Sequence, residues 1–233
     1  MAATSVADER GRRADAAAGL VFVVLALVGF LLPGAPPKAD DSIGDIRAFF
    51  TDHRDALLAG NLIVGLAAAV FLWFLGSLRS YLRAGEGGEG RLSAAAFAAG
   101  VAAVTLLLGG VAVFSGLAFE AAGDVDGPGL RIAFDVGNAF FTLSALPFAA
   151  LFAAAACSVA RSGALPPWAY WSGSAVALIQ VVSAVALFAK SGFFSVGNAF
   201  AFIAVLAALL WLGAISATIV RRGGVPPVPR TEP

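Results

Sequence analysis

Five amide and carboxylate side chains lie within or beside long apolar stretches, and any chemistry in this protein would begin with them. They are Asn61, Asp135, Asn138, Gln180 and Asn198. Asp135 is the one carboxylate that hydropathy places in an apolar segment, where acidic residues commonly handle protons or cations. The amides could either bind a small polar solute or hydrogen-bond one helix to another.

Three of these asparagines follow a glycine, and two of them lie in a repeated pentapeptide. VGNAF occurs at Val136–Phe140 and again at Val196–Phe200. Each Gly-Asn pair is predicted to begin a membrane span that runs inward and ends at an arginine. The 22 residues between Asn198 and Arg221 correspond to about 33 Å of helix, so the asparagines are expected at the outer edge of the membrane. The five side chains form either the outer polar vestibule of a transporter or a set of helix-packing contacts, and the sequence favours packing.

The surroundings of Asp135 and Gln180 support specific expectations. Asp135 is predicted in the first turn of its helix, where the macrodipole favours an anion and Arg131 can pair with it. Gln180 is predicted near the middle of the membrane, where another group must satisfy its amide. Pro147 leaves the carbonyl of Leu143 without its helical donor and predicts a kink. The kinked helix and Gln180 either line a small cavity or only join helices, and joining is favoured.

Other site chemistries find little support, because the chain has one cysteine and one histidine. Cys157 cannot form an internal disulfide or a zinc-finger pair, and we expect it to be a small buried side chain. His53 alone cannot provide the paired helical histidines of a membrane cytochrome or an HExxH zinc site. We therefore expect no catalytic residue, no cofactor and no metal. The net charge of zero gives no reason to expect nucleic acid as a partner.

Composition indicates an all-α, polytopic transmembrane helix bundle. The chain is 60% hydrophobic and 13% charged, with a mean hydropathy of +0.89. Apolar runs longer than about 18 residues recur, and this length spans a hydrocarbon core. Six spans are predicted at 17–32, 56–78, 92–119, 132–160, 168–189 and 198–220. They form one domain over 17–220, between an N-terminal segment, 1–16, and a proline-rich tail, 221–233, that is expected to be disordered.

Charges between the spans predict the orientation of the bundle. Ten lysines and arginines lie on the side of the two termini, and five lie on the other side. By the positive-inside rule, both termini are expected in the cytoplasm.

The longest connection, between the first and second spans, reads as an amphipathic helix. Ser42 followed by Asp45 resembles a capping box, with aspartate in place of the usual glutamate. One face carries apolar residues at helical spacing: Ile43, Ile46, Phe49, Phe50 and Leu57. This pattern predicts a helix that lies on the membrane surface with its apolar face down, and the alternative is a lid or a partner-docking surface. The sequence GDVDGPG at Gly123–Gly129 is predicted to be a turn.

Several stretches resemble a group of uncharacterised small integral membrane proteins of high-GC bacteria. They are FLWFLGSLRSYLRAGEGGEGRLSAAAFAAG, DIRAFFTDHRDALLAGN, GALPPWAYWSG and KSGFF. The resemblance implies a six-helix protein of the bacterial inner membrane and supplies no catalytic residue. We expect a non-enzymatic protein with a structural or regulatory role, whose partners are the lipid bilayer and a protein partner or a second copy. The alternatives are a small transporter or channel-like protein and, least favoured, a membrane enzyme.

Overall fold

The computed structural model describes residues 2–86, 88–121 and 124–224, and these residues fold into helices with no β-strand among them. The helices are α1 Ala2–Leu31, α2 Ile43–Asp52, α3 Arg54–Glu86, α4 Arg91–Gly116, α5 Gly127–Ser162, α6 Pro167–Ser183 and α7 Ala199–Arg221. A π-helical turn, Leu117–Ala121, extends α4, and a 3-10 turn, Ala184–Leu187, extends α6. The all-α prediction is confirmed.

Six of these helices are long and apolar enough to cross a membrane, as the sequence predicts. Several ends differ from the prediction. α1 begins at Ala2 and not at 17, and α5 begins at Gly127 and not at 132. α3 runs on from 78 to Glu86, because the extra turns bury Tyr81 and Leu82 against the bundle. The α-helical part of α6 stops at Ser183 and continues as the 3-10 turn, short of the predicted end at 189. Most of the tail predicted to be disordered, 225–233, lies outside the described residues.

The six long helices form a ring in which each packs on its neighbour in chain order. α1 packs on α3, α3 on α4, α4 on α5, α5 on α6 and α6 on α7, and α7 closes the ring on α1. The interface between α4 and α5 is the most extensive, and the interface between α6 and α7 is the least extensive. The main core includes fully buried aromatic rings, and Phe152 meets Trp211 edge to face at 5.2 Å.

One end of the ring carries α2 and the segments that precede α5 and α7, and we call it the α2 end. Arg47 donates to the carbonyl of Val125 at 2.7 Å, which ties α2 to the chain entering α5. The amide of Ala39 donates to the carbonyl of Val196 at 3.3 Å, which ties the segment before α2 to the segment before α7. Three connections therefore meet at this end.

The opposite end is closed by polar contacts around two acceptors. The carbonyl of Ala164 accepts hydrogen bonds from the Tyr81 hydroxyl at 3.2 Å and from Arg222 at 2.8 Å. Glu86 accepts a hydrogen bond from the buried hydroxyl of Ser158 at 2.8 Å. These contacts join the ends of α3, α5 and α7, as an up-and-down bundle requires.

α2 forms as predicted but packs differently. The Ser42 hydroxyl accepts from the amide of Asp45 at 3.1 Å, so the predicted N-cap is confirmed. The apolar face, predicted to lie on the membrane, packs instead on the protein. The buried ring of Phe50 meets those of Phe114 and Phe134 edge to face, at 5.2 and 6.4 Å. The resulting α2 cluster consists of Ile46, Phe49, Phe50, Leu57, Phe114, Leu117, Ala118, Leu130 and Phe134.

The predicted turn at 123–129 is wrong in its second half, because Gly127–Gly129 are the first residues of α5. Asp126 is the N-cap, and its carboxylate accepts from the amide of Gly129 at 2.9 Å. Pro128 lies in the first helical turn, where an amide hydrogen would have no helical partner in any case. Turn and helix-start signals share the same residues, which explains the error.

Cys157 is exposed on α5, whereas a buried side chain is predicted. Its neighbours Ala156 and Ser158 are both buried, so α5 turns Cys157 away from the ring. A helix that is apolar on every side does not reveal from its sequence which face points inward.

Candidate functional site

Asn61, the first of the predicted site residues, joins two helices. Its amide nitrogen donates to the hydroxyl of Ser115 at 2.9 Å, between α3 and α4. It lies two turns inside α3 and not at the beginning of the helix as predicted. The preceding Gly60 allows α1 to approach, since a Cβ at this position would lie 2.7 Å from the carbonyl oxygen of Gly29.

The first VGNAF copy is entirely helical. Asn138 donates to the carbonyl of Phe134 at 3.0 Å, within its own helix. Gly137 faces the ring of Phe114, and any Cβ there would collide with that ring. The glycine therefore serves the extensive contact between α4 and α5, about three turns inside α5.

The second VGNAF copy spans a loop and a helix start. Asn198 is the N-cap residue of α7, and its amide nitrogen donates to the hydroxyl of Ser195 at 2.6 Å. Gly197 has a φ of +77°, and a Cβ there would lie 2.8 Å from the carbonyl oxygen of Pro37. The two copies therefore adopt different conformations, and each requires glycine for its own reason.

Asp135 forms the predicted ion pair, with the Arg131 Nε 3.3 Å from its carboxylate. Arg131 also donates to the carbonyls of Ala39 and Asp41, so it fastens the segment before α2 to α5. Asp135 is exposed and lies beyond the first turn of α5, because this helix begins five residues earlier than predicted. Its expected interaction with the macrodipole is therefore absent, while its pairing with Arg131 is confirmed.

A cavity of about 190 Å³ lies inside the ring, and all six long helices contribute to its wall. Examples from α1, α3, α4, α5, α6 and α7 in turn are Phe22, Val64, Val104, Phe148, Gln180 and Ala204. Along α7 the lining runs from Ala201 to Leu212, or about 16 Å of helix, from near the α2 end to about the middle of the bundle. The lining is mainly apolar and includes no charged side chain among the described residues.

Gln180 is the one predicted site residue on this cavity. Only 5% of it is exposed, and its Nε2 donates to the carbonyl of Ala204 at 2.9 Å, across the interface of α6 and α7. Because a carbonyl can only accept, this bond fixes which amide atom is nitrogen. The Oε1 atom has no hydrogen-bond partner among the described residues, and it is not sealed off by protein atoms. Gln180 lies in the half of the bundle at the α2 end, one turn before Ser183 ends α6 and three residues from the centre of the apolar segment Pro167–Leu187, so its depth near the middle of the membrane stays a prediction.

Three hydroxyl groups also line the cavity, and sequence reasoning missed them. Thr142, Ser144 and Ser183 each donate to a main-chain carbonyl three or four residues earlier in their own helices, at 2.9, 2.6 and 2.8 Å. Their hydrogens are therefore committed, and their oxygens remain acceptors. The sequence does contain a signal for this space, since Ala201, Ala204 and Ala208 recur at helical spacing on α7 and all face it.

The structure thus does not bring the five predicted residues together. Asn61 joins α3 to α4, Asp135, Asn138 and Asn198 make separate contacts with residues three or four positions away, and only Gln180 reaches the cavity. In the described part of the chain, no cluster of three His, Cys, Asp or Glu side chains is arranged to hold a metal ion. No protein-family model matches the sequence, and comparison with curated proteins and with solved structures found no match.

Proposed function

We propose that this chain is a non-enzymatic integral membrane protein of a bacterial inner membrane, with a regulatory role exerted through a small molecule bound in the ring cavity. Both termini lie in the cytoplasm in this proposal, which follows the distribution of lysine and arginine. The α2 end then faces outward, and the cavity lies in the outer half of the bundle. A protein partner or a second copy of the chain would bind differently to the ligand-bound and ligand-free forms.

The observation that carries this proposal is the volume of the cavity. Protein interiors are packed closely and rarely leave spaces larger than a water molecule. An engineered apolar cavity of about 150 Å³ in another protein binds benzene. Filling 190 Å³ with well-packed atoms corresponds to about 5 kcal/mol, at roughly 24 cal/mol per Å³. A ligand that fits the cavity in only one arrangement of the ring would favour that arrangement by up to this free energy.

A small transporter remains the second candidate, because every long helix contributes to the cavity wall, as alternating access would need. The layer beneath the cavity favours binding over passage. Phe71, Phe152 and Trp211 are buried there, at and below the last lining residues of their helices. Substrate sites of transporters usually lie at interrupted helices near the middle of the membrane. All six long helices here are continuous where they line the cavity, apart from the 3-10 turn after α6.

A substitution that fills the cavity tests the proposed function. Ala208 lines the cavity and is buried, whereas Ala214 on the same helix faces outward. In lipid nanodiscs, para-fluorotoluene should raise the melting temperature of the wild type and of Ala214→Leu. Ala208→Leu should no longer respond to it, because leucine occupies the same space.

Equal responses of the three proteins would contradict binding in the cavity. An ion- or pH-dependent flux across proteoliposomes that is lost in Ala208→Leu would favour the transporter instead. The same two variants therefore distinguish a ligand-binding protein from a transporter.

A further inference from the structure

The polar part of the cavity wall consists almost entirely of hydrogen-bond acceptors. The Oε1 atom of Gln180 has no partner among the described residues, and the hydroxyls of Thr142, Ser144 and Ser183 have already used their hydrogens. Among the described lining residues, the second hydrogen on Gln180 Nε2 is the one side-chain donor that is not already used. A molecule that brings its own donor therefore complements this wall.

Charge and volume limit the molecule further. No charged side chain among the described residues lines the cavity, so a buried ionic group would find no counter-charge. Scaling from benzene in a cavity of about 150 Å³ gives room for roughly seven or eight non-hydrogen atoms in 190 Å³. Most of the wall is apolar, so most of these atoms are hydrocarbon.

The surrounding bilayer explains why a polar contact must provide the selectivity. Lipid tails are as apolar as the cavity wall, so a hydrocarbon that leaves the membrane for the cavity gains packing contacts but no hydrophobic transfer free energy. A hydroxyl group dissolved among lipid tails lacks an acceptor, and a buried amide oxygen satisfies it. The preference for one solute over another of equal size thus depends on Gln180.

We propose that the cavity binds a small uncharged molecule with a hydrocarbon body and one hydroxyl donor, and that Gln180 Oε1 accepts the hydrogen bond. This inference rests on the proposed ligand-binding function and names the chemical class that the site selects. The hydrogen bond from Gln180 Nε2 to the carbonyl of Ala204 fixes the orientation of the amide, and with it the position of Oε1. That bond also crosses the least extensive interface of the ring, between α6 and α7.

Two probes of equal size test the proposal. Para-fluorophenol carries a hydroxyl group where para-fluorotoluene carries a methyl group. Fluorine NMR measures the binding of each probe to the full chain in nanodiscs. Partition of each probe into nanodiscs without protein provides the baseline. We expect the wild type to prefer para-fluorophenol by about tenfold over this baseline.

Two variants assign the preference to its residue. Gln180→Leu should bring the ratio of the two affinities close to one while para-fluorotoluene still binds. Asn61→Leu makes the same amide-to-leucine change away from the cavity and should leave the ratio at its wild-type value.

The outcomes separate this inference from the proposed function. A wild-type ratio near one, with both probes bound, overturns the hydroxyl preference and leaves binding in the cavity intact. A preference that persists in Gln180→Leu overturns the role of Gln180. Binding of neither probe to the wild type overturns both proposals. If Gln180→Leu does not fold, Gln180→Met, which keeps the length of the side chain and removes the amide, replaces it in the same comparison with the same expected ratio.

Discussion

Removal of the Phe50 side chain should release α2 from the ring without unfolding the ring itself. α2 has ten residues, which is too short for a helix to be stable on its own in water. Its attachment depends on its buried face, and Phe50 is fully buried at the centre of the α2 cluster. The ring of Phe50 meets two aromatic rings that belong to α4 and α5, Phe114 and Phe134.

The contacts of Phe50 set the size of the effect. Replacing a buried phenylalanine with alanine in a close-packed core costs about 3–5 kcal/mol. The Arg47 contact to the Val125 carbonyl and the other buried residues of α2 remain, so the loss falls on one attachment among several. We take about 3–4 kcal/mol for the opening of α2. At about 1.4 kcal/mol for each factor of ten, the opening equilibrium rises by roughly two to three orders of magnitude.

Hydrogen exchange in nanodiscs measures this opening directly. In Phe50→Ala, the amides of 43–52 should exchange about 100 to 1,000 times faster, while the centres of α3 to α7 keep their protection. The control is Ile43→Ala on the same helix, because Ile43 is 40% exposed and should change exchange by less than about threefold. Acceleration of less than about tenfold in Phe50→Ala would show that α2 is held by the membrane surface and not by the cluster.

Three further predictions concern contacts at the two ends of the ring and in the interface between α4 and α5. Arg131→Gln should speed amide exchange in the segment 33–42 about tenfold, because Arg131 donates to two of its carbonyls; lysine, with its compact ammonium group, should not restore protection. Gly137→Ala should lower the melting temperature by about 2–10 °C through collision with an aromatic ring, whereas Gly65→Ala, which has open space around it, should not lower it. Glu86→Ala removes the acceptor of a buried serine and of a main-chain amide at the start of α4, so the unfolding midpoint in an SDS titration should fall, by about 1–3 kcal/mol.

Local rules explain what could be predicted of the fold. Apolar length predicts six spans, and the Ser42 cap depends on residues three apart, so both are readable from a short window. The packing of α2 is different, because one apolar face suits a membrane surface and a protein surface equally well. The predicted turn overlaps the start of α5 for a similar reason, since Asp126 and Pro128 suit a turn as well as a helix N-terminus.

The same distinction applies to the candidate site. The pairing of Arg131 with Asp135 is a contact between residues four apart on one helix, and the sequence predicts it. The contact of Gln180 with Ala204 depends on how two helices are set against each other, and no short window contains that information. The cavity depends on six helices at once, and it is the hardest feature to predict.

The repeated VGNAF motif and the alanines of α7 lead to opposite conclusions about where function lies. Inside a bilayer, helices gain little from hydrophobic burial, so close packing and polar contacts must hold them together. Gly60 and Gly137 allow close packing and Asn61 joins two helices, while Asn138 bonds within its own helix, so these residues are accounted for without a ligand. Ala201, Ala204 and Ala208 do the reverse, because larger side chains at these positions would fill the cavity and add packing contacts. Small side chains at these three positions leave packing free energy ungained. The cavity, and not the repeat, is therefore the place to look for a ligand.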